Sequence, residues 1–412
     1  MTVTFPGGPT LYLGMSLPVV SSGYGQWGLS PWGSARWGPD QVFTDLSAYL
    51  NGFSTNRSFS ETGEWKSGTA TLDLDNRDYR FSADYPSSPY TSGGISALLP
   101  WKLTQLMATY AGVTYALFTG YTGDWSESLP REAPEVTVPL VDEKSVISGM
   151  KAVGIPSAGA GDSYGARLHR VLDAIGNRAT RALETGVNTF AASTISGDAV
   201  AEMNLATNAE GGRWWVDASG VITARGRYGV ITPERSSVSQ VTFGTGVGEI
   251  HYSTADRATT TNRVINSARY TRTGGTEQIL ESSDSIARFT RRQEKLTGLP
   301  LETDAQALSS ASWCVATKSN YQRSLDSITV YPMTAPATMF PAVLGLKEFD
   351  LVTVLERRDW GTVTRYCHVR GVAHNARNMT WKSTIYLAPA ETLLALSDSR
   401  WGIGRWGSAR WV

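Results

Sequence analysis

The chain has 412 residues, too many for one ordinary hydrophobic core, so it should divide into several domains. Its 37 basic and 37 acidic side chains cancel, which excludes a global field pulling it toward nucleic acid or an anionic membrane. Charged residues make up only 18% while Gly (41) and aromatics (10%) are plentiful, a composition that fits a β-rich protein with much buried contact and excludes disorder.

Residues 1–45 are rich in Gly, Ser and Pro with little periodicity and read as an arm. From Leu46 the pattern is that of strands. Residues 69–74 alternate with period two and stop at the turn-prone Asp75-Asn76-Arg77-Asp78. Residues 102–110 and 113–121 make two strands around the tight turn Ala111-Gly112, and 135–141 add another. Together, residues 46–150 predict a first β-barrel domain. Residues 151–162 read as a linker opening an α+β domain (151–238). Its first helix is capped by Ser163 and carries Leu168, Val171, Leu172 and Ile175 at helical spacing. A second helix runs over 198–209, burying Val200 and Met203, and a hairpin over 213–225 follows. Residues 239–335 form a mixed domain, with short strands such as 263–266 and a long helix over 303–321 striped by Ala307, Leu308, Ala311 and Val315. Strands at 351–354, 366–372 and 380–387 build a second barrel-like domain (336–394), and 395–412 is a closing arm. The fold class expected is β-rich α+β and multidomain: two barrel-like β domains, a helical/α+β insertion, and extended Trp-rich arms at both termini.

Chemistry is sparse. Two cysteines, Cys314 and Cys367, make neither a zinc site nor a disulfide framework and read as buried free thiols, one bridge being the alternative. His368 and His374 lie about 20 Å apart along a strand, too far for one metal. Asp73 to Asp78 superficially matches a calcium loop, but Arg77 occupies a ligand position and the required Gly is absent, so a strand-ending turn is expected. Gly244-Thr245-Gly246-Val247-Gly248 lacks the Lys-Ser/Thr of a phosphate cradle. The pair Asp124 and Glu127 beside Trp125 reads as surface after a strand, and Arg291-Arg292 and Arg357-Arg358 as basic pairs balanced by Glu294, Glu356 and Asp359. No cofactor or metal is expected, and the chain is not expected to be an enzyme. No signal peptide and no stretch of about 18 apolar residues is present, so synthesis in a cytoplasm and no membrane span are expected.

One internal repeat stands out. Residues 27–38 and 401–412 agree at 8 of 12 positions, sharing Trp-Gly and Trp-Gly-Ser-Ala-Arg-Trp, and hold 6 of the 14 tryptophans. Trp anchors interfaces and is costly to leave in water. Arms too short to build their own core therefore bury these rings elsewhere. Two readings stand: each arm tucks onto its own domain, recording a duplication, or both dock on neighbouring subunits that present the same groove twice. The candidate docking residues are Trp27, Trp32, Arg36 and Trp37 in the first arm, and Trp401, Trp406, Arg410 and Trp411 in the second, with each Arg able to stack on an adjacent ring.

Residues 67–81 (Ser-Gly-Thr-Ala-Thr-Leu-Asp-Leu-Asp-Asn-Arg-Asp-Tyr-Arg-Phe), Ser88-Pro89-Tyr90 and 115–125 resemble the first barrel of minor tail proteins, the tail hub or baseplate hub proteins of long-tailed bacteriophages. Residues 347–354, 369–374 and 381–384 resemble that family's last β domain, where the usual order is Gly-Asp before the Val-rich strand; here Phe349-Asp350 departs from it. The resemblance covers about residues 46–392 through structural motifs, none catalytic. It implies a homotrimer capping the tail tube in the virion tail tip, with two similar β domains per chain letting three copies match a hexameric ring. The implied partners are the distal tail ring protein, the tape-measure protein and tip or fibre proteins, with opening for DNA passage and no specific nucleic-acid binding. The rival functions are a virion-associated cell-wall hydrolase and a glycan-binding receptor module.

Overall fold

The computed structural model describes residues 5–17, 43–60, 63–92, 95–128, 134–151, 155–195, 197–258, 263–320 and 324–390. Strands dominate, with seven α-helices among the described residues. Alternation does the work expected of it. In strand Thr69–Asp75, Ala70, Leu72 and Leu74 are buried, and they stand opposite Leu140, Val138 and Val136 of the antiparallel strand Glu135–Val141. Strands Leu103–Tyr110 and Val113–Thr122 turn at Ala111-Gly112, both with positive φ (49° and 79°), the primed turn whose twist matches a hairpin.

Three elements differ from the sequence reading. Within the arm, Thr10–Met15 is a strand paired along its whole length with Leu103–Tyr110, with Leu13 and Met15 buried; its short alternation is hidden between Gly- and Pro-rich flanks. Residues 263–266 are not a strand, because Asn266 is buried and its side chain bonds Ser285, the Thr290 carbonyl and the Arg292 amide; the strand begins at Ser267–Arg272. In helix Asp304–Lys318, Ala307, Ala311 and Val315 are buried, but Leu308 is exposed.

The larger difference concerns the two β regions. Strand Gly361–Arg377 pairs antiparallel with Leu50–Ser58, from Gly371↔Ser58 to Arg377↔Gly52. Both regions thereby join one 14-stranded sheet, and among the described residues this sheet does not close into a barrel. Helix Pro336–Leu344 wedges between the two cores. Phe340 and Leu344 join Leu72, Leu106 and Trp381, while Met339 and Val343 join Ile328, Val354 and Val369. Trp381 is fully buried, with Phe5, Phe53 and Phe340 edge-on to it at 5.2–5.3 Å.

A third core draws on helices Tyr164–Ala174, Ala199–Glu210 and Asp304–Lys318 and the hairpin of Arg213–Val216 with Ile222–Arg225. Each helix starts on a side-chain cap: Ser163, Asp198, and Thr303 in a reciprocal box with Gln306. Gly211 ends the second in the left-handed conformation (φ 72°), which a β-carbon would strain.

Candidate interaction surfaces

All eight docking residues expected from sequence, Trp27, Trp32, Arg36, Trp37, Trp401, Trp406, Arg410 and Trp411, lie outside the described residues. What the described residues present is a sealed seam and two exposed, chemically opposite ends.

The seam forms around Glu348-Phe349-Asp350. Phe349 adopts φ 66°, a conformation that favours Gly, and its ring is held 5.2 Å from both Phe59 and Trp215, with Trp65 packed on Phe59 at 4.9 Å. Where the resembled family has Gly, this chain sets an aromatic whose packing offsets the backbone cost. Asp350 accepts from the Lys347 amide (2.8 Å) and from both Nε and Nη2 of Arg235. Glu348 accepts from Arg57 Nη1 at 2.8 Å, both side chains being buried. Asp142 receives Trp65 Nε1 (3.0 Å) and the Gly68 amide (2.6 Å) and caps helix Glu143–Ser148 through the Ser145 amide. Burial lifts its carboxyl above the usual range even against these donors.

The first exposed end is a ribbon. Strand Leu351–Arg358 pairs with Gly361–Arg377 out to Arg358↔Gly361. Its other neighbour, Val241–Phe243, stops opposite Val354, and pairing of the long strand with Thr380–Pro389 starts only at Cys367. Residues 356–365 therefore have no further strand pairing among the described residues and stand free of the sheet. Here Glu356 accepts from Arg365 Nε and Arg358 Nη2, both at 2.8 Å, with Arg257 Nη2 at 3.0 Å. The carboxylate is 2% exposed and the Arg257 side chain 43%. Burial alone would raise the Glu356 carboxyl; the guanidiniums outweigh it and hold it below the ordinary range. Arg357 forks onto Glu249, which the Gly246 amide also holds, and the side-chain bond from Arg357 drops that carboxyl to about 2. Arg358 takes Glu356 as the sequence reading expected, but Arg357 is balanced by Glu249, and the glycine-rich turn before it serves to present that glutamate. Likewise Arg291 pairs with Glu281, whereas Glu294 takes Lys318, Tyr270 and Cys314. Trp360, at the turn, is 74% exposed, with the Arg358 guanidinium 5.9 Å from its ring centre.

The other end gathers around the 75–78 turn. Asn76 is buried, donating to Glu127 (2.9 Å) and Ser82 and accepting the Phe81 amide, so this is a hydrogen-bonded turn as expected. Trp125 stacks over Phe81 and donates to the Leu99 carbonyl at 3.4 Å, which draws the 122–128 and 95–101 segments together. Tyr79, Tyr85, Leu99 and Trp101 are exposed, Trp101 at 61% with φ 64°. Asp75, Asp78, Asp84, Asp124 and Glu127 share this end with Arg77, Arg80 and Lys102, five acids against three bases. Contiguous exposed aromatics rimmed by charge mark interaction sites. Sequence reasoning passed over both ends, although Trp360 in the charge-dense turn Glu356-Arg357-Arg358-Asp359 was a visible signal.

Two histidines and both cysteines are buried. His368 Nε2 meets the Ser236 carbonyl at 2.9 Å, His374 Nδ1 meets Ser383 Oγ at 2.9 Å, and burial lowers both imidazoles, His374 to about 3. Cys314 and Cys367 are buried and not joined in a disulfide, and burial pushes the Cys314 thiol up to about 11. Among the described residues no cluster of three metal-ligating side chains forms, and no helix is long and apolar enough to cross a membrane.

No protein-family model matches this sequence, and no curated protein matches it significantly. Solved structures do. The tail protein from Neisseria meningitidis MC58 superposes with a TM-score of 0.59 at 9% identity, covering 93% of this chain and 97% of its own. The chain has a tail-protein fold. The 43 kDa tail protein of prophage MuSo2 from Shewanella oneidensis agrees, with a TM-score of 0.53 at 14% identity over 85% of this chain and 96% of its own. At such identities the shared property is the path of the backbone, and the side chains displayed on a tail-protein fold are each chain's own.

Proposed function

We infer that this chain is a structural subunit of a bacteriophage tail tip. Its copies would form a trimeric hub that caps the tail tube, adapts six-fold to three-fold symmetry, anchors tip or fibre proteins and opens for DNA passage. The observation that carries this reading is the end-to-end match to two tail-protein folds, each spanned almost completely. In this reading the two β regions, joined in one sheet, are the two surfaces that each copy would offer to the ring above. In this reading Trp32, Trp37, Trp406 and Trp411 dock on adjacent tail subunits, two arms on each of three chains making six contacts. The reading is of an assembly role without catalysis.

A three-dimensional reconstruction of the purified particle tip tests it. Three copies around the tube axis, with the arm tryptophans seated on neighbours, are expected. A copy number other than three, or a position away from the axis, overturns the hub; arms folded wholly onto their own chain overturn the docking.

A further inference from the structure

The ribbon and the 75–128 end complement each other in charge, in ring chemistry and in placement. At the ribbon, the side chains of Glu356 and Glu249 lie beneath (2% and 11% exposed) while those of Arg257 and Arg357 lie above (43% and 42%). With exposed Asp359 beside Trp360 added to the two glutamates, three acids stand against Arg257, Arg357, Arg358 and Arg365, so the ribbon keeps one positive charge in excess, with Trp360 projecting from it. At the other end, acids outnumber bases and Tyr79, Tyr85 and Trp101 stand exposed among them. Guanidinium groups bind carboxylates bidentately and stack on aromatic faces, so the second surface offers both kinds of acceptor the first one fits. The chain already makes this contact internally, with Arg80 lying 3.9 Å from the Tyr49 ring centre.

A single copy cannot close the two surfaces on each other. Strand Gly361–Arg377 begins at the ribbon turn and ends beside the acidic end, where Arg377 meets Asp73 at 3.0 Å. Seventeen residues of strand span about 50 Å at the usual rise, and the strand is fixed on both sides by the sheet over its second half. The two surfaces thus lie toward opposite ends of one long strand, which bulges between Val369 and Gly371. Complementary patches at fixed, opposite positions make a head-to-tail contact between copies, which closes into a ring when the rotation allows.

We propose that the arginine ribbon around Trp360 of one copy docks on the acidic, aromatic surface around Trp101 of a second copy, and that this heterologous contact is how the chain self-associates. The proposal rests on the tail-tip reading only for the expectation that copies meet; it names the surfaces, which that reading does not.

The test uses the full chain and two folded variants, checked by circular dichroism and followed by analytical ultracentrifugation at tens of micromolar. One variant weakens the ribbon (Arg358→Gln with Trp360→Ser). The other weakens the acidic surface (Asp84→Lys, Asp124→Lys and Trp101→Asn, Asn being the side chain that tolerates this φ). The unaltered chain is expected to self-associate, less so at high salt, and each variant to do so at least about tenfold more weakly. Mixed one to one, the variants keep a single intact pair of surfaces and should form dimers and nothing larger. A monomeric unaltered chain, variants that associate as it does, or a mixture that fails to dimerise would each overturn the proposal. Three copies on the tail axis together with variants that change nothing would leave the hub reading standing and remove this one alone.

Discussion

Glu348 and Glu356 lie on one short segment and both take arginine partners, yet they do opposite things. Glu348 meets the one guanidinium of Arg57, both buried at the seam where the two β regions join. Glu356 meets Arg257, Arg358 and Arg365, and its carboxylate sits under groups that still face water. A one-to-one buried pair has no charge left over, so it holds the seam and displays nothing. A carboxylate with three cationic partners leaves positive charge over, only part of it answered by exposed Asp359 in the turn. The stoichiometry of the pairing, rather than the residue types, separates the part that welds from the part that presents.

The comparison breaks hardest at the weld. Glu348→Ala strands Arg57 in a dry site and is expected to lower unfolding free energy by about 3–5 kcal/mol in urea titration, whereas Arg57→Met with Glu348→Leu should recover most of that loss. His374, paired across the seam with Thr55, gives the next effect. Burial, then the charge of Arg57, depress its pKa to about 3, against an unfolded value near 6.5. A depressed folded pKa stabilises above the unfolded value, and that stability is lost as pH falls from about 6.5 toward 3. Up to about 3 kcal/mol should disappear by pH 4, and His374→Asn, though less stable at pH 7, should show a flatter acid limb. Phe349 gives a smaller effect with an unusual order. Phe349→Ala loses the ring contacts but keeps the positive φ, and is expected to cost about 2 kcal/mol, while Phe349→Gly relieves the backbone and should be about 1 kcal/mol less damaging. Should Ala prove the milder change, φ strain at Phe349 is not what the aromatic cluster offsets.

Much of the local structure was legible in the sequence, because one buried face imposes a period. Strands Thr69–Asp75 and Glu135–Val141 and the helices opened by Ser163, Asp198 and Thr303 follow directly from alternation and capping. The pairing of Leu50–Ser58 with Gly361–Arg377 was not, because it joins residues some 300 apart, and no local pattern distinguishes two β units from two parts of one sheet. The same distance hid the charge partners. Arg357 was read against its neighbours in sequence, while its fork goes to Glu249, 108 residues away. The hydrogen-bonded turn at 75–78 was readable from the Asp-Asn-Arg-Asp string, but the aromatics that surround it come from four separate segments. As for function, the motifs that resemble tail hub proteins pointed to the fold that the solved structures share.

The smallest effect on stability is expected where the proposed role is largest. Trp360 contacts little within its own chain, and Arg358 loses one bond to a carboxylate that keeps two other guanidiniums. Arg358→Gln with Trp360→Ser should therefore shift unfolding by no more than about 0.5 kcal/mol, as exposed substitutions do. A residue kept for folding cannot be removed at so little cost, whereas one kept for a partner can. If this pair instead lowers stability by as much as Glu348→Ala does, the ribbon is held by its own contacts after all. The contrast between a weld and a display would then collapse into two forms of the same internal bracing.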